Sequence, residues 1–289
     1  MANSKEIKRR IKSVTSIGQI TKAMELVSAA KMRKAQVAAT SSRPYATLSS
    51  QLLKNLAAKS DLSSNPLINR VLPDDQKIPV QKILAILVSS DRGLAGAFNA
   101  NVIGKALDLL KENGSEKFDF ITIGKKGADA IRRSGHNIVA AFPAKDKVSF
   151  TDSKAIAQIA IQDFLAFKYE KVFIIYTDFV STLVQRPNIL QLLPFSSEGE
   201  EIKQDLLFEP SPAEVLESLI TRTVEFAVYQ TLVEAAASEH SARMVAMRNA
   251  NDAAADLIED LSLSFNQARQ AGITRELSEI SAAKLAMEE

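Results

Sequence analysis

The chain has 289 residues, of which 24% are charged, with no cysteine and a formal net charge of +2. That length allows one large domain or two modest ones, and the near-neutral balance selects no polyanionic partner, so nucleic acid is not expected. Without cysteine there are no disulfides, thiolate nucleophiles or Cys-type zinc sites. No run of eighteen apolar residues is present and the N-terminus is polar and charged, so the sequence reads as cytosolic, with neither span nor signal core.

The first predicted element is a helix from Ser4 to about Lys59, with Ile7, Ile11, Val14, Ile17, Ile20, Met24 and Val27 along one side. The steps between these residues include an extra three-residue step, which departs from a strict heptad and predicts a local change of supercoil. Pro44 predicts a kink or brief break near Arg43. A loop with Pro66, Pro73 and Pro79 follows. The period then changes. Strands are expected at Ile83–Val88, Phe118–Ile123, Asn137–Phe142, Lys171–Thr177 and Asn188–Leu193, and helices at Ala97–Glu112, Lys125–Ser134 and Asp152–Phe167. Strands alternating with helices imply a mainly parallel sheet, a Rossmann-like α/β domain over residues 76–196. Glu198–Glu209 reads as an acidic surface loop.

From Ser211 to Glu289 the sequence predicts one helix. Pro212 suits its first turn, no proline follows, and Gly272 is the one later glycine. Met247, Ala250, Ala254, Leu257, Leu261, Phe265 and Ala268 form a stripe at three- and four-residue steps. About 77 residues at 1.5 Å each make a rod of roughly 115 Å. Such a helix needs its seam covered. The segment 1–59 supplies a cover for 211–289, so the fold class is α/β plus all-α: a long antiparallel coiled coil of the two terminal helices with the α/β domain inserted. Basic residues crowd the first thirty-five positions and acidic residues dominate beyond Ala235, which favours that pairing. With both helices level at Lys59 and Ala213, the N-terminal helix ends opposite about Phe265 and Met24 lies near Val245 and Met247.

Chemistry is sparse. There is no GxxxxGK[ST] loop and no GxGxxG after a strand. Gly93-Leu94-Ala95-Gly96 stands where a nucleotide-binding fold places its phosphate loop, but two glycines at that spacing also make a tight turn, with Asp91 and Arg92 as a local stabilising pair. His136 and His240 lie in different segments without carboxylates at ligand spacing, so no metal is expected. Glu225, Glu234 and Glu239 read as a solvated helix face. No nucleophile–base–orienter set can be assembled, so neither catalytic residues nor cofactors are expected. A nucleotide-binding α/β protein with a helical dimerisation arm, or a coiled-coil adaptor, would be the alternatives on these grounds.

Three segments carry a resemblance. They are Ile7-Lys8-Arg9-Arg10-Ile11-Lys12-Ser13-Val14 with Ile20-Thr21-Lys22-Ala23-Met24-Glu25-Leu26-Val27; Ser89-Ser90-Asp91-Arg92-Gly93-Leu94-Ala95-Gly96-Ala97-Phe98-Asn99; and Ser238-Glu239-His240-Ser241-Ala242-Arg243-Met244-Val245-Ala246-Met247-Arg248-Asn249-Ala250 with Asn266-Gln267-Ala268-Arg269-Gln270-Ala271-Gly272-Ile273-Thr274. In that order, over nearly the whole length, the chain resembles the gamma-subunit family of the rotary proton-translocating ATP synthase. Ala95 and Ala97 stand where the family often has Cys and Gly, and neither the photosynthetic insert nor its cysteine pair is present. The resemblance therefore points to a bacterial form at the cytoplasmic face of the plasma membrane.

The resemblance implies a non-catalytic central shaft inside a hexamer of alpha and beta subunits, one shaft per three alpha–beta pairs. Its α/β foot would stand on the membrane rotor ring of c subunits with the epsilon subunit. It also implies contacts to beta at Met24, Arg243, Gln270, Thr274 and Glu276, and contacts to the rotor ring and epsilon at Leu206, Phe208 and Glu209.

Overall fold

The computed structural model describes residues 4–59, 65–68, 82–114, 117–195 and 212–288. The chain divides into two compact units, one of Met1–Ser28 with Met244–Glu289 and one of Ala29–Arg243. Two helices contribute to both: α1, Ser4–Lys59, and α5, Pro212–Glu288, a single helix of 77 residues.

In the first unit, α1 and α5 pair along a seam. Along α1 a line of positions that lose solvent runs Ile7, Ile11, Val14, Gly18, Thr21, Glu25 and Ser28, at alternating steps of four and three, with Met24 half-buried beside it. The expected stripe holds as far as Val14; beyond it Met24 stays half-buried, but Ile17, Ile20 and Val27 are half or more exposed. The seam is instead a regular heptad that continues, inside the second unit, through Met32, Ala35, Ala39, Ser42, Ser49 and Leu53. From Gly18 to Ser49 small residues take most of the inner positions, where they let the helix backbones approach closely. A Cβ built on Gly18 would stand 3.6 Å from the Ala254 Cβ. On α5 the inner positions are Met247, Asn251, Ala254, Ile258, Leu261, Phe265 and Ala268, with Ile258 in the place expected of Leu257, which is exposed. Counting outward from Gly18 against Ala254 puts Ile7 level with Phe265 and Ser4 level with Ala268. From Arg269 to Ala283 every side chain of α5 is exposed, because α1 no longer covers it.

In the second unit the antiparallel direction is explicit. The Tyr45 ring packs at a tilt against Phe226 with centroids 4.3 Å apart, Ser42 donates to Gln230 at 2.6 Å, and Gln230 donates to the Ala39 carbonyl at 3.3 Å. Pro44 does not break α1. The hydrogen bond it cannot donate is outweighed by these anchors on either side of it.

The α/β part carries strands β1 (Ile83–Val88), β2 (Phe118–Ile123), β3 (Asn137–Phe142), β4 (Lys171–Phe179) and β5 (Gln185–Leu193), with helices α2 (Phe98–Asn113), α3 (Lys125–Arg133) and α4 (Phe150–Leu165). The sheet order is β3-β2-β1-β4-β5, parallel except for β5. β1 is apolar throughout because both its faces are covered. Ile83, Ala85 and Leu87 join Val102, Ala106, Leu109 of α2 and Ile131 of α3 in one core. Leu84, Ile86 and Val88 join α4 and the α5 residues Ile220, Val224, Val228 and Leu232 in the other. α5 thus acts as a covering helix of the sheet over its first third.

The seam geometry is testable by disulfide. The Cβ separation at Gly18 and Ala254 falls within the roughly 3.5–4.5 Å that a disulfide spans. Cysteines at both positions are expected to cross-link under mild oxidation, read as a mobility shift on non-reducing gels. Failure to form the bond would refute the pairing.

Candidate functional site

At the carboxyl edge of the sheet, the turn after β1 is held by its own side chains. Ser89 Oγ donates to the Ile123 carbonyl at 2.9 Å and accepts from the Gly127 amide at 2.8 Å. Asn99 Oδ1 accepts from the Ser90 amide at 3.1 Å, and Asp91 Oδ1 accepts from the Lys125 amide at 2.9 Å. Lys126 donates its amide to the Ser90 carbonyl at 3.0 Å. The first amides of α3 are therefore bound to oxygens of the β1 turn, which ties the two loops together. Gly124 has φ +89, and a Cβ there would collide with the Ser89 carbonyl, so the two loops can close only on glycine. A cavity of about 360 Å³ opens beside this turn, with Val88, Ile123, Phe142, Leu232 and Ala236 in its walls. Its lining is mainly apolar. The expected Asp91–Arg92 pair is replaced by the Asp91 cap on α3.

The carboxylates expected on a solvated face are withdrawn from water. Glu225 and Glu234 are buried and Glu239 half-buried. Each has an arginine: Arg222 at 3.3 Å, Arg43 at 3.0 Å and Arg243 at 2.6 Å. Sequence separation concealed the first cause of this burial, which is α1 and the sheet lying against α5. Burial pushes the carboxyls of Glu234 and Glu239 above their ordinary range, and their arginines oppose it.

A second cluster surrounds His240, which is buried. Its Nε2 lies 3.5 Å from Asp146 Oδ1, and its Nδ1 lies 3.3 Å from Arg243 Nη1. Lys31 Nζ donates to Asp146 Oδ2 at 2.6 Å. Lys31, chiefly by that bond, holds the Asp146 carboxyl below its usual range. Burial first, and Arg243 next, push His240 down to about 4, against the attraction of Asp146. The ring is therefore neutral at neutral pH; Arg243 can only donate, so Nδ1 accepts from it and the ring proton sits on Nε2, on the side of Asp146. Nothing in the sequence marks His240 as the neighbour of Asp146; the two lie on different elements and meet only in the fold.

The residues expected at partner contacts fall into distinct settings. Met24 is half-buried beside the seam of the first unit. Gln270, Thr274 and Glu276 are exposed on the uncovered part of α5. Gln270 and Thr274 share a face one turn apart, whereas Glu276 stands about 200° round the helix from Thr274. Ile273, Leu277 and Ile280 add an exposed apolar stripe there. Arg243 belongs to the second unit and is only 8% exposed, with its guanidinium bound to Glu239 and the Gly93 carbonyl. Leu206, Phe208 and Glu209 lie outside the described residues. No described helix is long and apolar enough to cross a membrane.

A family model described as ATP synthase matches residues 3–287. The ATP synthase gamma chain of Pelotomaculum thermopropionicum is 43% identical over 292 residues, and that of Roseiflexus castenholzii 42% over 294, each alignment covering both chains in full. Among solved structures, a chain of the Euglena gracilis mitochondrial ATP synthase superposes with a TM-score of 0.67 at 20% identity, covering 98% of this chain and 94% of that one. A chain of the Tetrahymena thermophila central stalk and c-ring gives 0.61 at 23% identity, covering 80% and 99%. These structural likenesses show the fold.

The neutral state of His240 makes stability depend on pH. Its folded pKa of about 4 lies below the 6.5 of the free side chain. Between those values the unfolded chain binds a proton that the folded chain does not, so stability is full above about 6.5 and is lost as pH falls towards 4. The contribution is about 3 kcal/mol. His240→Asn is expected to flatten this part of the unfolding-versus-pH curve relative to wild type, measured by denaturant melts across the window.

Proposed function

The chain belongs to the ATP synthase gamma-chain family, and from that premise we propose how its geometry serves a shaft that makes and breaks no bonds itself. It is a non-catalytic subunit of the ATP synthase central stalk, and ATP chemistry belongs to the beta subunits. The observation that carries the reading is α5: 77 residues in one helix, covered by α1 as far as Ala268 and bare beyond it. A helix left bare with an apolar stripe of Ile273, Leu277 and Ile280 needs a surrounding surface to bury it.

In this proposal the paired helices stand within three alpha–beta pairs, one shaft to each hexamer. Met24, Gln270, Thr274 and Glu276 meet beta subunits. Gln270 and Thr274 face one way and Glu276 nearly the opposite way, so subunits around the shaft meet different side chains. A partner shifts a conformational equilibrium only through different contacts with its alternative states. An asymmetric shaft thereby gives chemically identical sites unequal affinities, and its rotation exchanges them. Arg243, held inside its own unit, contributes through the set of the helix. The α/β domain is the foot, with Leu206, Phe208 and Glu209 meeting the c-subunit ring and epsilon. The working place is the cytoplasmic face of a bacterial plasma membrane.

Reconstitution with the cognate subunits tests this. The complex is expected to contain one copy of the chain per three alpha–beta pairs and to couple ATP hydrolysis to proton uptake into vesicles. Gln270→Ala with Thr274→Ala should lower coupled hydrolysis while leaving the melting curve of the free chain unchanged, because both side chains are exposed. Full coupled activity in that double variant would remove these contacts from the mechanism.

A further inference from the structure

One turn of α5 is held by three separate loops from the same edge of the sheet. Ser241 Oγ donates to the Thr182 carbonyl, between β4 and β5, at 2.6 Å. Arg243 directs Nε and Nη2 at the Gly93 carbonyl, in the turn after β1, at 3.4 Å each. His240 Nε2 meets Asp146, between β3 and α4, at 3.5 Å, and Lys31 of α1 meets the other oxygen of the same carboxylate at 2.6 Å. Successive helix residues point about 100° apart, so the contacts of His240, Ser241 and Arg243 leave α5 across roughly 160° of its circumference.

The arrangement differs from ordinary packing of a helix on a sheet. Contacts along one stripe resist separation but let a helix roll about its own axis. Contacts spread round the circumference resist that rolling, because any rotation lengthens at least one of them. The donors are also well placed to stay engaged. Ser241 is fully buried, Arg243 nearly so, and the Arg243 guanidinium is braced by Glu239 at 2.6 Å. Asp146 adds a second function, since one carboxylate from the α/β domain holds both α1 and α5.

We infer that His240, Ser241 and Arg243, with Asp146, form a torsional collar that locks the α/β domain to α5 against relative rotation, and that they are positioning residues for rotary coupling. This rests on the shaft reading above. Torque applied to the α/β domain enters α5 through these contacts. The collar matters most under load, when an opposing proton gradient resists rotation, and least when the shaft turns freely.

The test uses complete ATP synthase in vesicles, carrying Asp146→Ala with Ser241→Ala. Hydrolysis without a gradient is expected to match wild type. The largest proton gradient that ATP hydrolysis can build is expected to fall to about half or less, since two of three loop contacts are gone. Asp146→Glu with wild-type Ser241 keeps the carboxylate and should restore the full gradient. An unchanged gradient in the double variant, or a parallel fall of hydrolysis and gradient that Asp146→Glu shares, overturns the collar. Vesicles assembled without the chain should pump nothing. Pumping there would sink the shaft reading and the collar with it, whereas an unchanged gradient in the variant sinks the collar alone.

Discussion

A helix of 77 residues cannot hold itself straight in water without surrendering an apolar side to something else, and that need organises the whole chain. α5 meets it in two ways. Ile220, Val224, Val228 and Leu232 enter the core of the sheet as a covering helix would. Met247, Ala254, Ile258 and Leu261 turn to α1, in a seam narrow enough for Gly18 to stand in contact with Ala254. The remainder has no cover among the described residues, and its exposed isoleucines and leucine form an apolar stripe of the kind that marks an interface.

The seam is unusual in what it buries. Thr21, Ser28, Ser42 and Ser49 occupy positions where a heptad usually places aliphatics, while Ile17, Ile20 and Val27 sit outside. Thr21 and Ser42 return their hydroxyls to carbonyls of α1, Gly18 for the one and Ala38 for the other. Their polar atoms are thereby satisfied without widening the pair. Close approach gains dispersion contacts, and the displaced aliphatics become available to a third surface.

Around Arg43, Arg222 and Arg243 the balance is electrostatic. Burying a carboxylate costs several kcal/mol unless it is paired, and each of these three glutamates, two buried and one half-buried, has its own guanidinium. His240 solves the same problem by staying neutral, which lets it accept from Arg243 while its other nitrogen stands 3.5 Å from Asp146. These groups lie where the α/β part meets the two long helices within its own unit. Charge here serves orientation more than stability, since directional bonds define an angle that apolar packing leaves free.

Periodicity determined the elements by itself: the uninterrupted run of β1 needed two covered faces, and the absence of proline after Pro212 left α5 nothing to stop it. Family membership was equally legible, because the three segments around Met24, Gly93 and Arg243 are local strings. Which aliphatics turn inward was not, since Ile17 and Gly18 differ by a single step of about 100° and only the approach of α5 selects the glycine. The roles of Glu225, Glu234 and His240 were hidden for the same reason. A carboxylate reads as solvated until a remote arginine or a covering helix arrives, and sequence distance carries no information about which will. Local repetition determined the shape of each piece, while the choice of inward face and of charge partner was left to the packing of elements far apart in the chain.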